Sequence, residues 1–341
     1  MNEQLIKKKT IAVIGAGTMG TSIAQLLGEK GHSVKLWTWE PELCDAINAQ
    51  HENTLFMPGM ALSKNISASV SFEHVLQDAH VVISVTPSQV IRKIWTEARA
   101  FLHPDIPIVC ASKGIETHSS MLISQVLSEV LGNNAPNRLA YLSGPSFAKE
   151  IMDGQPTAVV IASENQALAD AMQQLVSTQL FRAYTSTDVT GVEIGGAIKN
   201  VIAIAVGMAE GLHLGINSKS ALITRGLAEI TRLAVACGAQ RETLAGLAGM
   251  GDLVLTCTGH LSRNLQVGIR LGKGESLQEI LGSMKMVAEG VATAHSALHL
   301  AQKFDIEMPI TESVVDILNN KIRPSDAVMA LMTRKLRAEI E

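Results

Sequence analysis

The chain has 341 residues, 47% hydrophobic and 18% charged, with a formal net charge of −4. At about 150 residues per domain this length suggests two domains, and the hydrophobic share suits sizeable buried cores. The slightly acidic balance argues against a nucleic-acid partner, and four scattered cysteines (Cys44, Cys110, Cys237, Cys257) with no Cys-x-x-Cys pair argue against a disulfide framework or zinc site.

The opening "MNEQLIKKKT" has no apolar core of a signal peptide, so reduced thiols in a cytoplasmic protein are expected. Lys7-Lys8-Lys9 reads as a solvated edge before the first strand. From there short apolar runs alternate with helical patterns. "TIAVIGAG" (10–17), "SVKLWT" (33–38), "HVVISVT" (80–86), "PIVCAS" (107–112), "RLAYLSG" (138–144) and "TAVVIAS" (157–163) read as parallel strands buried on both faces. "MGTSIAQLLGEKG" (19–31) and "SSMLISQVLSEVLG" (119–132) read as helices between them. This alternation predicts an α/β fold with a Rossmann-type doubly wound sheet. Near residue 188 the pattern changes. Helical segments follow at 190–211, 218–237, 262–272, 290–303, 310–320 and 324–338, which predicts an all-α C-terminal domain. The expected division is 1–188 for dinucleotide binding and 189–341 for substrate and catalysis. The longest apolar stretch, 195–211, is shorter than the roughly 20 residues a bilayer span needs and contains a lysine, so no membrane span is expected.

"VIGAGTMG" (13–20) carries G-x-G-x-x-G as Gly15, Gly17 and Gly20, after a strand and opening a helix. Gly15 permits the tight turn, Gly17 lets the backbone approach a pyrophosphate, and Gly20 lets helix and strand pack closely. The end of the second strand normally senses the adenosine ribose. Here stand Trp39, whose ring offers a face for adenine, and Glu40, either a partner for the ribose 2′-hydroxyl of NAD or a plain surface residue. No arginine marks NADP, so the choice between NAD and NADP stays open. In "VTPS" (85–88) Pro87 stops a strand, and the loop is either an ordinary helix cap at Ser88 or part of a ligand site at the carboxyl ends of the strands.

"CASKGIE" (110–116) sets Lys113 just past a strand end, where an ammonium meets an anion or polarises a carbonyl. "LSGPSFAKE" (142–150) offers Gly144 and Ser146 as donors to a small substrate. In "GGAIKNVIAIAVGMAEG" (195–211), where Lys199 and Asn200 alone break the run of hydrocarbon, glycine and methionine up to Ala209, a buried ammonium either pairs or loses its proton more readily. That position suits general acid–base catalysis. Gly195 and Gly196, one turn before it, are read as leaving room for substrate. Asp252, after Gly-Met-Gly, suits the orientation of such a lysine. Ser262 suits an N-cap, while Arg263 in the following first turn is a cation where anions belong, which points to a bound phosphate.

These motifs resemble the bacterial NAD(P)-dependent glycerol-3-phosphate dehydrogenases over about residues 10–335. The resemblance rests on "GAGTMG", "NTLFMPG" (53–59), "VTPSQV", "SKGIE", "LSGPSFAKE", "GGAIKNVIAIAVGMAEG", "RGLAEITRL" (225–233), "GMGDLVLTCTG", "SRN" and "VAEGVATA" (287–294). It implies reversible hydride transfer between NAD(P)H and dihydroxyacetone phosphate, giving sn-glycerol 3-phosphate for phospholipid synthesis, in a cytoplasmic homodimer. It implies Lys199 as catalytic proton donor and acceptor, with Lys113, Gly144, Ser146, Asp252, Ser262, Arg263 and Asn264 on the triose. It implies Thr18, Met19, Lys113, Ala148, Arg263, Val287 and Glu289 along the nicotinamide cofactor. Family members often carry an aromatic residue at the position of Met19 and an arginine at that of Trp39. A β-hydroxyacid dehydrogenase shares the plan, but the spacing of Asp252 and Ser262-Arg263-Asn264 favours a phosphate. A nucleotide sensor without catalysis has no use for Lys199.

Overall fold

The computed structural model describes residues 8–132, 135–284, 287–336 and 338–339. The stretch read for a signal peptide and Lys7 of the basic run therefore lie largely outside the described residues. The chain divides into two compact units, one of residues up to Lys113 with Met121–Glu193, the other of Gly114–Ser120 with residues from Ile194 on.

The first unit runs β1 (Thr10–Ile14), α1 (Thr18–Glu29), β2 (Ser33–Trp37), α2 (Pro41–Gln50), β3 (Ile66–Ser69), α3 (Phe72–Leu76), β4 (Val81–Ser84), α4 (Ile91–Ala98), β5 (Ile108–Cys110), α5 (Ile123–Leu131), β6 (Leu139–Ser143), α6 (Ala148–Met152), β7 (Thr157–Ala162), α7 (Gln166–Val176) and β8 (Phe181–Ser186). The strands form one sheet in the order β3-β2-β1-β4-β5-β6-β7-β8. The first six of these are parallel, as a Rossmann-type doubly wound sheet requires. β7 runs antiparallel to β6, which corrects the expectation of parallel strands throughout, and β8 pairs parallel with β7. Ile11, Val13, Val34, Leu36, Val81, Ile83 and Val109 pack into one core with Ile23, Ala24 and Leu27 of α1. Burial on both faces explains their continuous apolar runs. β3 and β8 were not expected. Both are edge strands with alternating burial, so neither shows a continuous run.

α8 (Val189–Gly211) follows, with 23 residues and a mean hydropathy of 1.5, enough by length and composition to cross a membrane, yet its apolar stretch is buried within the protein. It is a core helix. The second unit continues with α9 (Ile216–Ala236), α10 (Arg241–Ala245), α11 (Asp252–Thr258), α12 (Arg263–Gly272), α13 (Leu277–Ser283), α14 (Glu289–Lys303), α15 (Pro309–Leu318) and α16 (Pro324–Met332). α10, α11 and α13 are short helices of five to seven residues that carry too few turns to show a periodicity in sequence. In the segment Gly114–Ser120, Ser120 joins the second unit through a 2.9 Å contact between its hydroxyl and the His299 ring.

α8 and α12 touch backbone to backbone. A Cβ added to Gly207 lands 2.2 Å from the Leu265 carbonyl oxygen, and one on Gly211 lands 2.3 Å from that of Ile269. Across the seam, Cβ atoms on Gly268 and Gly272 land 2.1 and 2.5 Å from the carbonyl oxygens of Ile204 and Met208. Four glycines, two per helix and four residues apart on each, therefore set the separation of the two helices. The same register brings the first turn of α12 to Asn200.

Candidate active site

The three glycines of the first loop divide their work. Gly15 has φ +114°, and a Cβ there lands 2.5 Å from the Val85 carbonyl oxygen, so the loops after β1 and β4 pass each other closely. These neighbouring strands mark the topological switch point of the sheet, where open α/β folds bind ligands. A Cβ on Gly20 lands 1.8 Å from the Gly15 carbonyl oxygen, so glycine is obligatory for the turn to close. Gly17 differs, because a Cβ there meets nothing within 4 Å and its φ of −66° suits any residue. The protein's own packing does not need this glycine. Gly17 also brings no side chain to cap α1, leaving the first turn, Thr18-Met19-Gly20, without a side-chain cap.

Asn53 fixes this loop. It is fully buried, and its amide donates to the Ala16 carbonyl at 2.8 Å and to Thr21 Oγ1 at 2.7 Å. Its Oδ1 accepts the Phe56 N–H at 2.9 Å. Ser22 Oγ donates to the Ala148 carbonyl at 2.9 Å, which ties α6 to α1 and places Ala148 beside the dinucleotide loop. At the end of β2, Trp39 is 68% exposed, with the Lys93 ammonium 5.6 Å from the ring centroid. Glu40 precedes α2, and its carboxylate accepts from Thr38 Oγ1 at 2.7 Å. Ser88 does not cap a helix. It lies inside a 3-10 turn, and α4 begins only at Ile91.

At the ends of β5 and β6, Lys113 Nζ donates to the Gly144 carbonyl at 3.2 Å, and Ser146 Oγ donates to the same oxygen at 2.9 Å. Gly144 has φ +124°, a conformation side chains rarely adopt. These three predicted residues therefore meet at one carbonyl.

In the second unit Lys199 and Asp252 form an ion pair, with 7% and 1% of their surfaces exposed. Residues Leu247–Gly251 make a turn of π-helix immediately before Asp252. A Cβ on Gly195 lands 2.7 Å from the Ala248 carbonyl oxygen, and one on Gly249 lands 2.1 Å from that of Leu244. Gly195 thus lets this turn press onto α8, and Gly249 lets it fold back on Leu244 of α10, which together bring the Asp252 carboxylate to the ammonium. The reading of Gly195 as room for substrate is corrected, because backbone fills that space. Cys257 lies nearby, and burial pushes its thiol up to about 12, so it stays protonated and unreactive.

Ser262 caps α12 as expected, accepting the Leu265 N–H at 3.2 Å. Arg263 donates to the Val287 carbonyl at 2.7 Å; burial lowers its pKa, and nearby Glu289 opposes that only in part. The cation in that first turn is therefore partly balanced from within the chain. Asn264 donates to Asn200 Oδ1 at 2.9 Å and accepts the Gly290 N–H at 2.9 Å. Lys199's neighbour, the start of α12 and the start of α14 are joined through this one amide. Among the described residues no group of three or more His, Cys, Asp or Glu could hold a metal ion.

A family model described as the NAD-dependent glycerol-3-phosphate dehydrogenase N-terminus matches residues 10–169, and the C-terminal model of the same family matches residues 188–329. The chain belongs to the NAD-dependent glycerol-3-phosphate dehydrogenase family. It is 52% identical over 329 residues to the glycerol-3-phosphate dehydrogenase (NAD(P)+) of Geobacter sulfurreducens, and 51% identical to that of Geobacter sp. strain M21. Both alignments cover 96% of this chain and 98% of the relative. A crystal structure of glycerol-3-phosphate dehydrogenase from Coxiella burnetii superposes with a TM-score of 0.91 at 37% identity, covering 96% of this chain and 99% of that one.

Two residues of this glycerol-3-phosphate dehydrogenase family member gain their roles only through the fold. Asn53 looks like an ordinary turn residue in "NTLFMPG", and only the fold brings it to Ala16 and Thr21. Asn200 was overshadowed by Lys199 beside it, although an amide in an apolar helix is itself a signal for a buried partner.

Proposed function

We propose that the protein is a glycerol-3-phosphate dehydrogenase that reduces dihydroxyacetone phosphate to sn-glycerol 3-phosphate and runs the reverse reaction with the oxidised cofactor. The observation that carries this reading is the Lys199–Asp252 ion pair, buried in an apolar helix and built by glycine-mediated contact. Reducing a ketone needs a hydride on carbon and a proton on oxygen. NAD(P)H, when bound, supplies the hydride. Lys199, as the ammonium that Asp252 favours, donates its proton from Nζ to the developing alkoxide, and the amine recovers it in the reverse direction. The residues suit the cofactor: the open face of Gly17 and the uncapped start of α1 accept a pyrophosphate, and exposed Trp39 offers a ring to adenine. Thr18, Met19, Gly20, Lys113, Ala148, Arg263, Val287 and Glu289 complete its surroundings in this reading. NAD and NADP both remain compatible with it.

Lys113, Gly144, Ser146, Ser262, Arg263 and Asn264 hold the triose phosphate, with Arg263 as the phosphate reader. Ser262 and Asn264 contribute by fixing the start of α12, because both are engaged within the chain. We assign cofactor binding to residues 1–188 and proton transfer to 189–341. A cytoplasmic homodimer feeding glycerophospholipid synthesis fits the family resemblance. Arg263→Ala tests the substrate. A charge-assisted bond is worth about 1.5–3 kcal/mol, so the preference for dihydroxyacetone phosphate over dihydroxyacetone in kcat/KM is expected to fall at least about tenfold. An unchanged ratio removes Arg263 from phosphate recognition.

A further inference from the structure

Within the first unit, the start of α8 meets the ends of β5 and β6 around a small cavity of about 10 Å³. Its lining includes Ser112, Lys113, Tyr141, Ser143 and Glu193. Two buried side-chain atoms among these, Glu193 Oε2 and Ser143 Oγ, have no hydrogen-bond partner. Glu193 is 9% exposed and Ser143 3% exposed. The other carboxylate oxygen of Glu193 accepts the Ser124 N–H at 2.9 Å, which fixes the side chain. A buried polar atom without a partner is costly, and a native fold rarely leaves two of them around one cavity. The volume matches the space one water needs, and an internal water requires two or more polar partners, which this lining supplies.

We propose that this cavity is an internal water site, with one water bonded to Glu193 Oε2 and Ser143 Oγ, and that through it Glu193 is a positioning residue for the strand ends carrying Lys113 and Gly144. Ser143 directly precedes Gly144, whose carbonyl receives both Lys113 and Ser146. A water held between α8 and β6 therefore stiffens the backbone on which those side chains converge. Water also suits the chemistry of Glu193. Burial pushes this carboxyl up to about 7, so both protonation forms occur near neutrality, and water can donate to the carboxylate or accept from the acid. The titratable groups facing it are Tyr141 on β6, Cys110 on β5 and Lys113. Burial raises both Tyr141 and Cys110, which keeps them protonated.

The positioning role rests on the assignment of Lys113 and Gly144 to the substrate; the water site does not. A high-resolution diffraction map of the wild-type protein tests the water alone. A peak within hydrogen-bond distance of both atoms is expected, and its absence, or a direct bond between Glu193 and Ser143, overturns the site. Kinetics test the role. Glu193→Leu is expected to raise KM for dihydroxyacetone phosphate about fivefold, the scale of one lost hydrogen bond, with kcat within about twofold of wild type. Glu193→Gln keeps a polar partner for water and is expected to restore KM to within about twofold of wild type. If Glu193→Leu does not fold, Ser143→Ala removes the other partner and is expected to raise KM about threefold. A wild-type KM in the soluble variant overturns the role. A wild-type protein inactive on dihydroxyacetone phosphate overturns the substrate reading instead, and the map still decides the water.

Discussion

Lys199 and Asp252 lie 53 residues apart in sequence and form a buried ion pair. Removing one partner of such a pair leaves an uncompensated charge, so Asp252→Ala is expected to destabilise the protein by about 3–5 kcal/mol, measured by urea unfolding. A loss below about 1 kcal/mol would place the pair in solvent-like surroundings. The sequence made Lys199 conspicuous by its apolar neighbours, and Asp252 was legible as its candidate partner. What it could not convey was the distance, which depends on Gly195 letting the backbone at Ala248 meet α8. The same limit hid Asn53. Gly17 and Gly20 offer a second test at this scale. Gly17→Val is expected to keep the melting temperature while weakening cofactor binding, because only a ligand needs that space. Gly20→Val is expected to destabilise the fold itself, because its side chain overlaps the Gly15 carbonyl. Cofactor titration by fluorescence, beside thermal melts, separates the two. Unchanged affinity in folded Gly17→Val moves the cofactor elsewhere.

α8 and α12 show how an element is placed by what its residues lack. With the Gly268 Cβ landing 2.1 Å from the Ile204 carbonyl oxygen, Gly268→Ala must push the helices apart. Overpacking of this kind costs about 1–3 kcal/mol, and the shift also strains the Asn264–Asn200 bond at the start of α12. Gly282→Ala is the control. It lies in α13 with nothing within 4 Å of the added Cβ, and is expected to stabilise by about 0.5–1 kcal/mol through helix propensity. Equal effects from the two variants would deny the seam any role in packing. The strands and long helices were legible because each carries its own burial pattern over enough residues. Edge strands β3 and β8 were not, because half of each faces away from the core. The short helices around Asp252 are set by tertiary contact rather than by periodicity.

For the whole molecule, two buried carboxyls link stability to pH. Burial raises both Glu193 and Glu229 from an ordinary value of 4.5 to about 7. Between those values the folded protein keeps protons that the unfolded chain has released. Their contribution is therefore greatest below about pH 4.5 and falls as pH rises to about 7. Glu229 caps the start of α15 by accepting the N–H groups of Ile310 and Thr311 at 2.6 and 3.2 Å. Glu229→Gln cannot ionise. Its loss of unfolding free energy between roughly pH 5 and pH 8 is expected to be smaller than that of wild type by on the order of 1–3 kcal/mol. Equal losses in urea titrations at the two pH values would show that Glu229 titrates normally. The two-part plan, sheet then helices, was legible from the change of period near residue 188. The inclusion of Gly114–Ser120 in the second unit was not, because nothing local marks it.

Steady-state oxidation of NADH and NADPH with dihydroxyacetone phosphate tests most directly whether Lys199 supplies the proton in this reduction. Wild-type protein is expected to turn over with at least one of the two cofactors. Lys199→Ala is expected to lose at least about a hundredfold in kcat, as removal of a general acid does, while binding the cofactor as before. Turnover by Lys199→Ala above about a tenth of the wild-type kcat would contradict the assignment of Lys199 as the proton donor.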